Sequence, residues 1–303
     1  MPPVVRVAIL ERVSAGRFAP SPSGDLHVGH LRTALLAWLW ARRTGRDFVI
    51  RIEDLDRVRP GAEERQLADL AGIGLDWDGE PVRQSERLPV YSDVLPTLVA
   101  AGRTYECFCT RREILEAPTA PHHPPGSYPG TCRTLTAAER DHRRTERPPA
   151  LRLRAEVSTF TVHDEIHGSY EGAVDDFVLQ RGDGVPAYNF AVVVDDADQG
   201  VDQVVRGDDL LSSTPRQAYL ATLLGTVPPT YVHVPLTLDE QGRRLAKRDE
   251  PVTLAELRSS GVDVLSLIAT SLGLNGSTPA ELLTEFDPAA LPPDPWIFSR
   301  SWS

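Results

Sequence analysis

The strongest constraint on the fold is a strand, loop, helix, strand pattern packed into about 40 residues from Gly16 to Asp56. Arg17, Phe18 and Ala19 lead as a short strand into Pro20-Ser-Pro-Ser-Gly24, a turn-rich loop. From Gly29 the apolar residues Leu31, Ala34, Leu35, Trp38 and Leu39 recur at helical spacing, and Gly45 is placed to close the helix. Phe48, Ile50 and Ile52 then alternate as a strand that ends at Glu53-Asp-Leu-Asp56. This is a βαβ unit, the start of a parallel sheet, and the predicted class is α/β.

The rest of the chain is read more coarsely. A second helix is expected from Ala62 to Ala71. From Cys107 to Pro149 the periodicity dissolves, and prolines and histidines crowd Pro118 to Pro129. Short strand-like runs are expected from Leu151 to Asp195, with a turn at Arg181-Gly-Asp-Gly184. Val201 to Arg206 and Val232 to Leu238 read as strands, and Ser213, Thr214 and Pro215 open a helix that runs to about Leu224. Thr253 to Arg258 and Val262 to Leu272 read as short helices, and there is no internal repeat.

The 303 residues allow roughly two domains of about 150 residues. Hydrophobic content of 41% with 25% charged residues excludes global disorder. The longest apolar stretch, Ala34 to Ala41, is far short of the ~20 residues of a membrane span. The first residues lack the order of a signal peptide, so a cytoplasmic protein without a membrane partner is expected. A net charge of −11 excludes a general nucleic-acid coat but not a local basic groove. Thirty-one of the basic residues are arginine and one, Lys247, is lysine, which marks a position that needs an ammonium on a flexible stem.

Three groups of residues carry chemistry. His27-Val-Gly-His30 sits where the loop enters the first helix, and a helix N-terminus is a ready phosphate site. Gly29 allows close approach of a nucleotide, and the two imidazoles can donate to phosphate. Arg243-Arg-Leu-Ala-Lys-Arg248 can neutralise charge on a leaving pyrophosphate. All three cysteines, Cys107, Cys109 and Cys132, cluster in the proline-rich region, and three thiolates there suit a zinc ion needing four ligands. On general frequency His122 or His123 is the fourth ligand.

In order along the chain, Arg17-Phe-Ala-Pro-Ser-Pro-Ser-Gly24, His27-Val-Gly-His30, Arg51-Ile-Glu-Asp-Leu-Asp56, Val205-Arg-Gly-Asp-Asp-Leu210 and Leu245-Ala-Lys-Arg248 resemble the class I glutamyl-tRNA synthetase family. The second and last correspond to that family's HIGH and KMSKS motifs. About 55 residues follow Arg248, so the chain is similar to the truncated branch that modifies tRNA(Asp), without an anticodon-binding domain. The resemblance implies a Rossmann-like parallel sheet with a zinc-bearing insertion domain and a short helical C-terminal part. It divides the chain into residues 14–105 and 188–240 as the two halves of the catalytic domain, 106–187 as the insertion, and 241–303 as the KMSKS-like loop and helical end. The implied activity is tRNA-independent activation of L-glutamate with ATP and transfer to queuosine at the wobble position of tRNA(Asp), by a monomer. The other readings are a minimal synthetase that charges tRNA(Glu) and a silent RNA-binding paralogue.

The same resemblance assigns roles. Arg17, Phe18, Ala19, Pro20 and Ser21 line the glutamate pocket, Glu53 holds the amino group, and Tyr188 and Arg206 complete it. Gly29, His27, His30, Leu245, Ala246 and Lys247 bind ATP, with His27, His30 and Lys247 as the catalytic set and magnesium carried by ATP. The family's Cys-x-Cys and Tyr-x-x-x-Cys pattern matches Cys107, Cys109, Tyr128 and Cys132, which makes Tyr128 the fourth ligand of a structural zinc. Departures from the family pattern are Ala246, Asp25, Asn189 and Gln203. The arginines between Arg140 and Arg154 are expected to meet RNA phosphates.

Overall fold

The computed structural model describes residues 14–116, 128–245 and 252–299. In chain order the elements are β1 (Ala15–Phe18), α1 (Val28–Arg43), β2 (Asp47–Ile52), α2 (Ala62–Gly72), β3 (Val82–Arg83), α3 (Leu88–Ala100), β4 (Thr104–Cys107), α4 (Arg111–Glu116), α5 (Ala137–Arg144), β5 (Ala150–Leu153), β6 (Thr159–Asp164), β7 (Gly168–Ala173) and β8 (Val178–Gln180). They continue as α6 (Tyr188–Asp198), β9 (Val201–Gly207), α7 (Thr214–Leu223), β10 (Thr230–Val234), β11 (Thr237–Leu238), α8 (Leu254–Ser259), α9 (Val264–Ser271), α10 (Pro279–Glu285) and β12 (Trp296–Ile297). The described residues fall into two compact units. A sheet unit gathers 14–85, Gly200–Leu211 and 230–299, and a cysteine unit gathers Glu86–Gln199 and Ser212–Pro229.

The sheet unit is built on five parallel strands in the order β3-β2-β1-β9-β10. The chain leaves this sheet after β3, returns at β9, leaves again for α7 and returns at β10, so the unit is assembled from three separate stretches of sequence. Phe48, Ile50 and Ile52 of β2 are buried, as their alternation predicts. Helix α1 follows its expected bounds. His27 caps its N-terminus, and it stops at Thr44 with Gly45 at φ +68°, a left-handed position that favours glycine. Eight consecutive residues of α1, Ala34 to Ala41, are buried, so the helix is covered all round by β1, β2 and β9 and by α9 and α10. Each fully buried leucine there contributes roughly 2 kcal/mol. Buried Arg32 fastens α1 elsewhere: its Nη1 donates to Pro235 O at 2.7 Å and its Nε to Ser271 Oγ at 3.2 Å.

Two local expectations change. The strand expected over Val232 to Leu238 breaks into β10 and β11 at Pro235, which has no N–H to give to a ladder. β11 then pairs in parallel with β12. The strand-like runs expected through Asp195 end at β8, and Tyr188–Asp198 is the helix α6. Phe190 to Val194 read as a strand because they are rich in valine, but all five are buried in the helical form, where burial overrides β propensity.

The cysteine unit holds an antiparallel sheet in the order β4-β5-β8, the β6–β7 hairpin, and α3 to α7. The stretch 106–187, read from the sequence as an insertion, lies inside this larger unit with α3 before it and α6 and α7 after it. Asp195 on α6 is fully buried and accepts from Arg87 Nε at 2.6 Å and from the Tyr91 hydroxyl at 2.9 and 3.0 Å, which fixes α3 to α6. A small core of Tyr105, Cys107, Phe108, Tyr128 and Cys132 forms where the sequence showed no periodicity.

Candidate functional site

The C-terminal ends of parallel strands are where open α/β sheets bind ligands. Within the sheet unit, Arg17 and Phe18 end β1, Glu53 follows β2, and Arg206 stands at the penultimate position of β9. Arg17 and Arg206 are buried, and so is Arg51, whose Nη2 lies 3.7 Å from Glu53 Oε1. Ala19, Pro20 and Ser21 continue from β1, and Pro20 O accepts from Glu53 N at 2.9 Å, which ties the two strand ends together. Ser21 O accepts from Gln66 Nε2 of α2 at 3.0 Å, and Gly24 O from the same nitrogen at 2.6 Å, so α2 holds the loop. Arg206 Nε donates to Nε2 of His233, its register partner on β10, at 3.0 Å. His233 is fully buried and stacks near Tyr231, and it was not singled out from sequence. Buried guanidinium groups beside one carboxylate can take a ligand that carries two carboxylates and an ammonium.

The two histidines of His27-Val-Gly-His30 form a capping box. His27 Nδ1 accepts from Gly29 N at 3.1 Å and from His30 N at 3.3 Å, and His30 Nδ1 accepts from His27 N at 3.4 Å. The rings stack with centroids 3.6 Å apart. With Nδ1 accepting, each neutral ring carries its proton on Nε2, a donor suited to a phosphate at the helix N-terminus. A Cβ on Gly29 would lie 3.0 Å from Thr237 Cβ and 3.1 Å from the His27 ring, so a larger residue there would press on both neighbours.

The stretch carrying the late basic motif is anchored on both sides. Upstream, Leu238 bridges Arg244, Asp239 caps the turn through Gln241 and Arg243, and Arg244 Nη1 pairs with Asp209 Oδ2 at 2.7 Å. Downstream, Val252 O accepts from Val28 N at 3.3 Å and Thr253 bridges His27. Leu245 is half-buried, and Ala246 and Lys247 lie outside the described residues.

Three of the four departures from the family pattern, Asp25, Gln203 and Asn189, lie among the described residues and have defined partners. Asp25 pairs with Arg65 Nε at 2.6 Å, which offsets its charge. Gln203 is three residues from Arg206 and so points to the other face of the sheet, where its Nε2 donates to Thr44 Oγ1 at 3.2 Å. In the cysteine unit Asn189 accepts from Gln217 at 3.0 Å, and Tyr188 stands exposed at the start of α6.

The three sulfurs converge within 4.8 Å of one another. Cys109 Sγ is 3.6 Å from Cys132 Sγ, and the Tyr128 hydroxyl is 3.3 Å from Cys107 Sγ and 3.8 Å from Cys109 Sγ. Zinc–ligand bonds of about 2.3 Å to sulfur and 2.0 Å to oxygen give tetrahedral edges of roughly 3.5–3.8 Å, so these four atoms fit such a cation. His122 and His123 lie outside the described residues. Burial and the neighbouring Cys107 push the Cys109 thiol up to about 12. Burial also opposes ionisation of Cys132, but the Phe108 N–H, the Tyr128 hydroxyl and the other two thiols hold it below the ordinary thiol value.

Residues 14–287 match the family described as tRNA synthetases class I (E and Q), catalytic domain. The chain belongs to this family. It is 65% identical over 289 residues to a glutamyl-Q tRNA(Asp) synthetase of Nocardia farcinica, covering 94% of this chain and 93% of that protein. A protein of the same name from Cutibacterium acnes is 54% identical, over 94% of this chain and 83% of its own length. A crystal structure of a glutamate tRNA ligase from Elizabethkingia meningosepticum, in complex with its amino acid, matches with a TM-score of 0.80 at 27% identity, covering 95% of this chain and 67% of that one.

Several of the arginines between Arg140 and Arg154, expected to meet RNA phosphates, have partners within the cysteine unit. Arg140 donates to Leu135 O, Arg147 to Phe108 O, Arg152 to Asp176 O and Arg154 to Arg133 O, while Arg144 pairs with Glu106 and Asp141. Arg144 and Arg147 are also exposed. No helix among the described residues is long and apolar enough to cross a membrane.

Proposed function

We propose that this chain activates L-glutamate with ATP, without tRNA, and transfers the glutamyl group to queuosine in tRNA(Asp). The observation that carries this reading is the 65% identity, across 93% of its length, to a protein named glutamyl-Q tRNA(Asp) synthetase. In the first step an oxygen of the glutamate α-carboxylate attacks the α-phosphorus, the bond to the β-phosphate oxygen breaks, and pyrophosphate leaves. In the second, a hydroxyl of the modified base attacks the acyl carbon and AMP leaves.

Catalysis is by positioning and charge neutralisation. Arg17 and Arg206 bind the carboxylates, Glu53 the ammonium, and Phe18, Ala19, Pro20 and Ser21 form the adjoining wall. Tyr188 is assigned to this pocket by resemblance. The Nε2 protons of His27 and His30 face phosphate oxygens above the α1 N-terminus, with Gly29 beside them. Leu245 and Ala246 flank the nucleotide, and the Lys247 ammonium, assigned from sequence, stabilises the transferring phosphates. Magnesium enters with ATP.

Zinc is the cation of the cysteine cluster, held by Cys107, Cys109, Cys132 and Tyr128. It supplies structural order, since four protein ligands leave no open position for chemistry.

The test is glutamate-dependent ATP–pyrophosphate exchange without tRNA, with aspartate and glutamine as controls. Exchange with glutamate alone is expected. Exchange that appears only on adding tRNA(Glu) would replace this reading with tRNA(Glu) charging.

A further inference from the structure

Tyr128 is held from two sides by consecutive residues of the loop before β8. Asp175 Oδ2 accepts from the Tyr128 backbone N–H at 3.1 Å, while Asp175 Oδ1 accepts from Arg216 Nε of α7 at 2.6 Å. Asp176 O accepts from Arg152 Nη1 at 2.7 Å, and the Arg152 guanidinium carbon lies 3.6 Å from the centroid of the Tyr128 ring. Arg152 itself is only 6% exposed, and its Nε donates to no atom among the described residues. A buried guanidinium held by one carbonyl bond and one aromatic face is costly unless that face is the point of its placement. The hydroxyl of the same ring accepts from Cys132 N at 2.8 Å and reaches the sulfurs of Cys107 and Cys109.

We propose that Arg152 is a positioning residue for the metal site: its guanidinium plane sets the ring of Tyr128 so that the phenol oxygen, rather than water, completes the three-sulfur set. Asp175 fixes the same tyrosine through its backbone. Tyr105 forms the outer part of this support, since its hydroxyl donates to Asp176 Oδ2 at 2.6 Å and Arg133 Nη1 pairs with Asp176 Oδ1 at 2.8 Å. Supports of this kind typically change metal affinity by 10–100-fold when removed.

The inference rests on the zinc reading above. The experiment uses full-length protein, first assayed for zinc as purified without chelator, then stripped and refilled with Co²⁺, whose visible bands report the donor set. Tyr128→Phe provides the reference spectrum for a site that has lost its oxygen ligand. Arg152→Met is expected to shift the cobalt bands toward that reference and to release zinc to a chelator about tenfold faster or more. If Arg152→Met does not fold, Arg152→Lys keeps the charge without the planar face and is expected to shift the bands in the same direction. Wild-type bands in either folded variant overturn the inference alone. Wild-type protein that carries no zinc and binds no Co²⁺ overturns the zinc reading and the inference with it.

Discussion

Arg206 and His233 face each other across the β9–β10 pairing, and the arginine's Nε donates to the imidazole Nε2 at 3.0 Å. Both side chains are buried, so the bond fixes the direction of a guanidinium that the proposed pocket uses for a carboxylate. Replacing His233 by leucine removes this acceptor, at about 1–3 kcal/mol. The KM for glutamate in ATP–pyrophosphate exchange is expected to rise about tenfold, and His233→Gln, which keeps an acceptor, to recover most of it. An unchanged KM in folded His233→Leu would separate the histidine from substrate binding.

The stacked histidines combine a structural and a chemical task that substitution can divide. His27→Ala loses the cap of α1, worth about 1 kcal/mol, together with the phosphate donor. His27→Asn restores a capping oxygen without the Nε2 donor. The melting temperature of His27→Asn is expected to stay near wild type while the exchange rate falls about a hundredfold. Equal losses of stability in both variants would refute the division.

Gly29→Ala should be destabilising by about 1–3 kcal/mol, because the new methyl meets Thr237 and the His27 ring at 3.0–3.1 Å. Chemical denaturation with unchanged m-value would measure it. A wild-type midpoint would show that the packing yields.

Asp69 makes stability depend on pH. Burial, and then the neighbouring Asp25, raise its carboxyl to about 6, against the opposing pull of Arg258 and Arg65. The folded state therefore holds this proton more tightly than the unfolded chain. The associated stability is full below the ordinary carboxylate range and is lost as pH rises through about 6. Asp69→Asn should raise the melting temperature at pH 7.5 and have much less effect at pH 4. A difference that is flat across that range would contradict the assignment.

Metal removal has a defined expectation. With chelator, the melting temperature of the cysteine unit should fall by several degrees and recover when zinc is returned. Indifference to the chelator, with zinc shown to be absent, would leave the three thiols as ordinary core residues.

The parts legible in the sequence are those written in local patterns. The βαβ start follows from alternation in β2, helical spacing in α1 and a glycine at its end. The cysteine cluster follows from residue type and clustering, although the choice between Tyr128 and the histidines did not. Long-range pairs were not legible. Arg206 meets His233 because β9 and β10 are in register, and Arg152 of β5 meets the ring of Tyr128, which lies on a loop far from it in sequence. Helix α6 was misread because its valines signal a strand when burial is ignored. The carbonyl partners of Arg140, Arg147, Arg152 and Arg154 were likewise not legible, because they come from the folding of the unit rather than from local pattern.

The burial of α1 on every side determines how the site can move. Its central amides, from Ala34 to Ala41, are inside the core, so their exchange with deuterated solvent should require opening of the whole sheet unit rather than fraying of one helix. The histidine pair at the head of this helix is therefore mounted on a segment expected to exchange slowly. Its geometry is set before any nucleotide arrives, and little ordering cost remains to be met on binding.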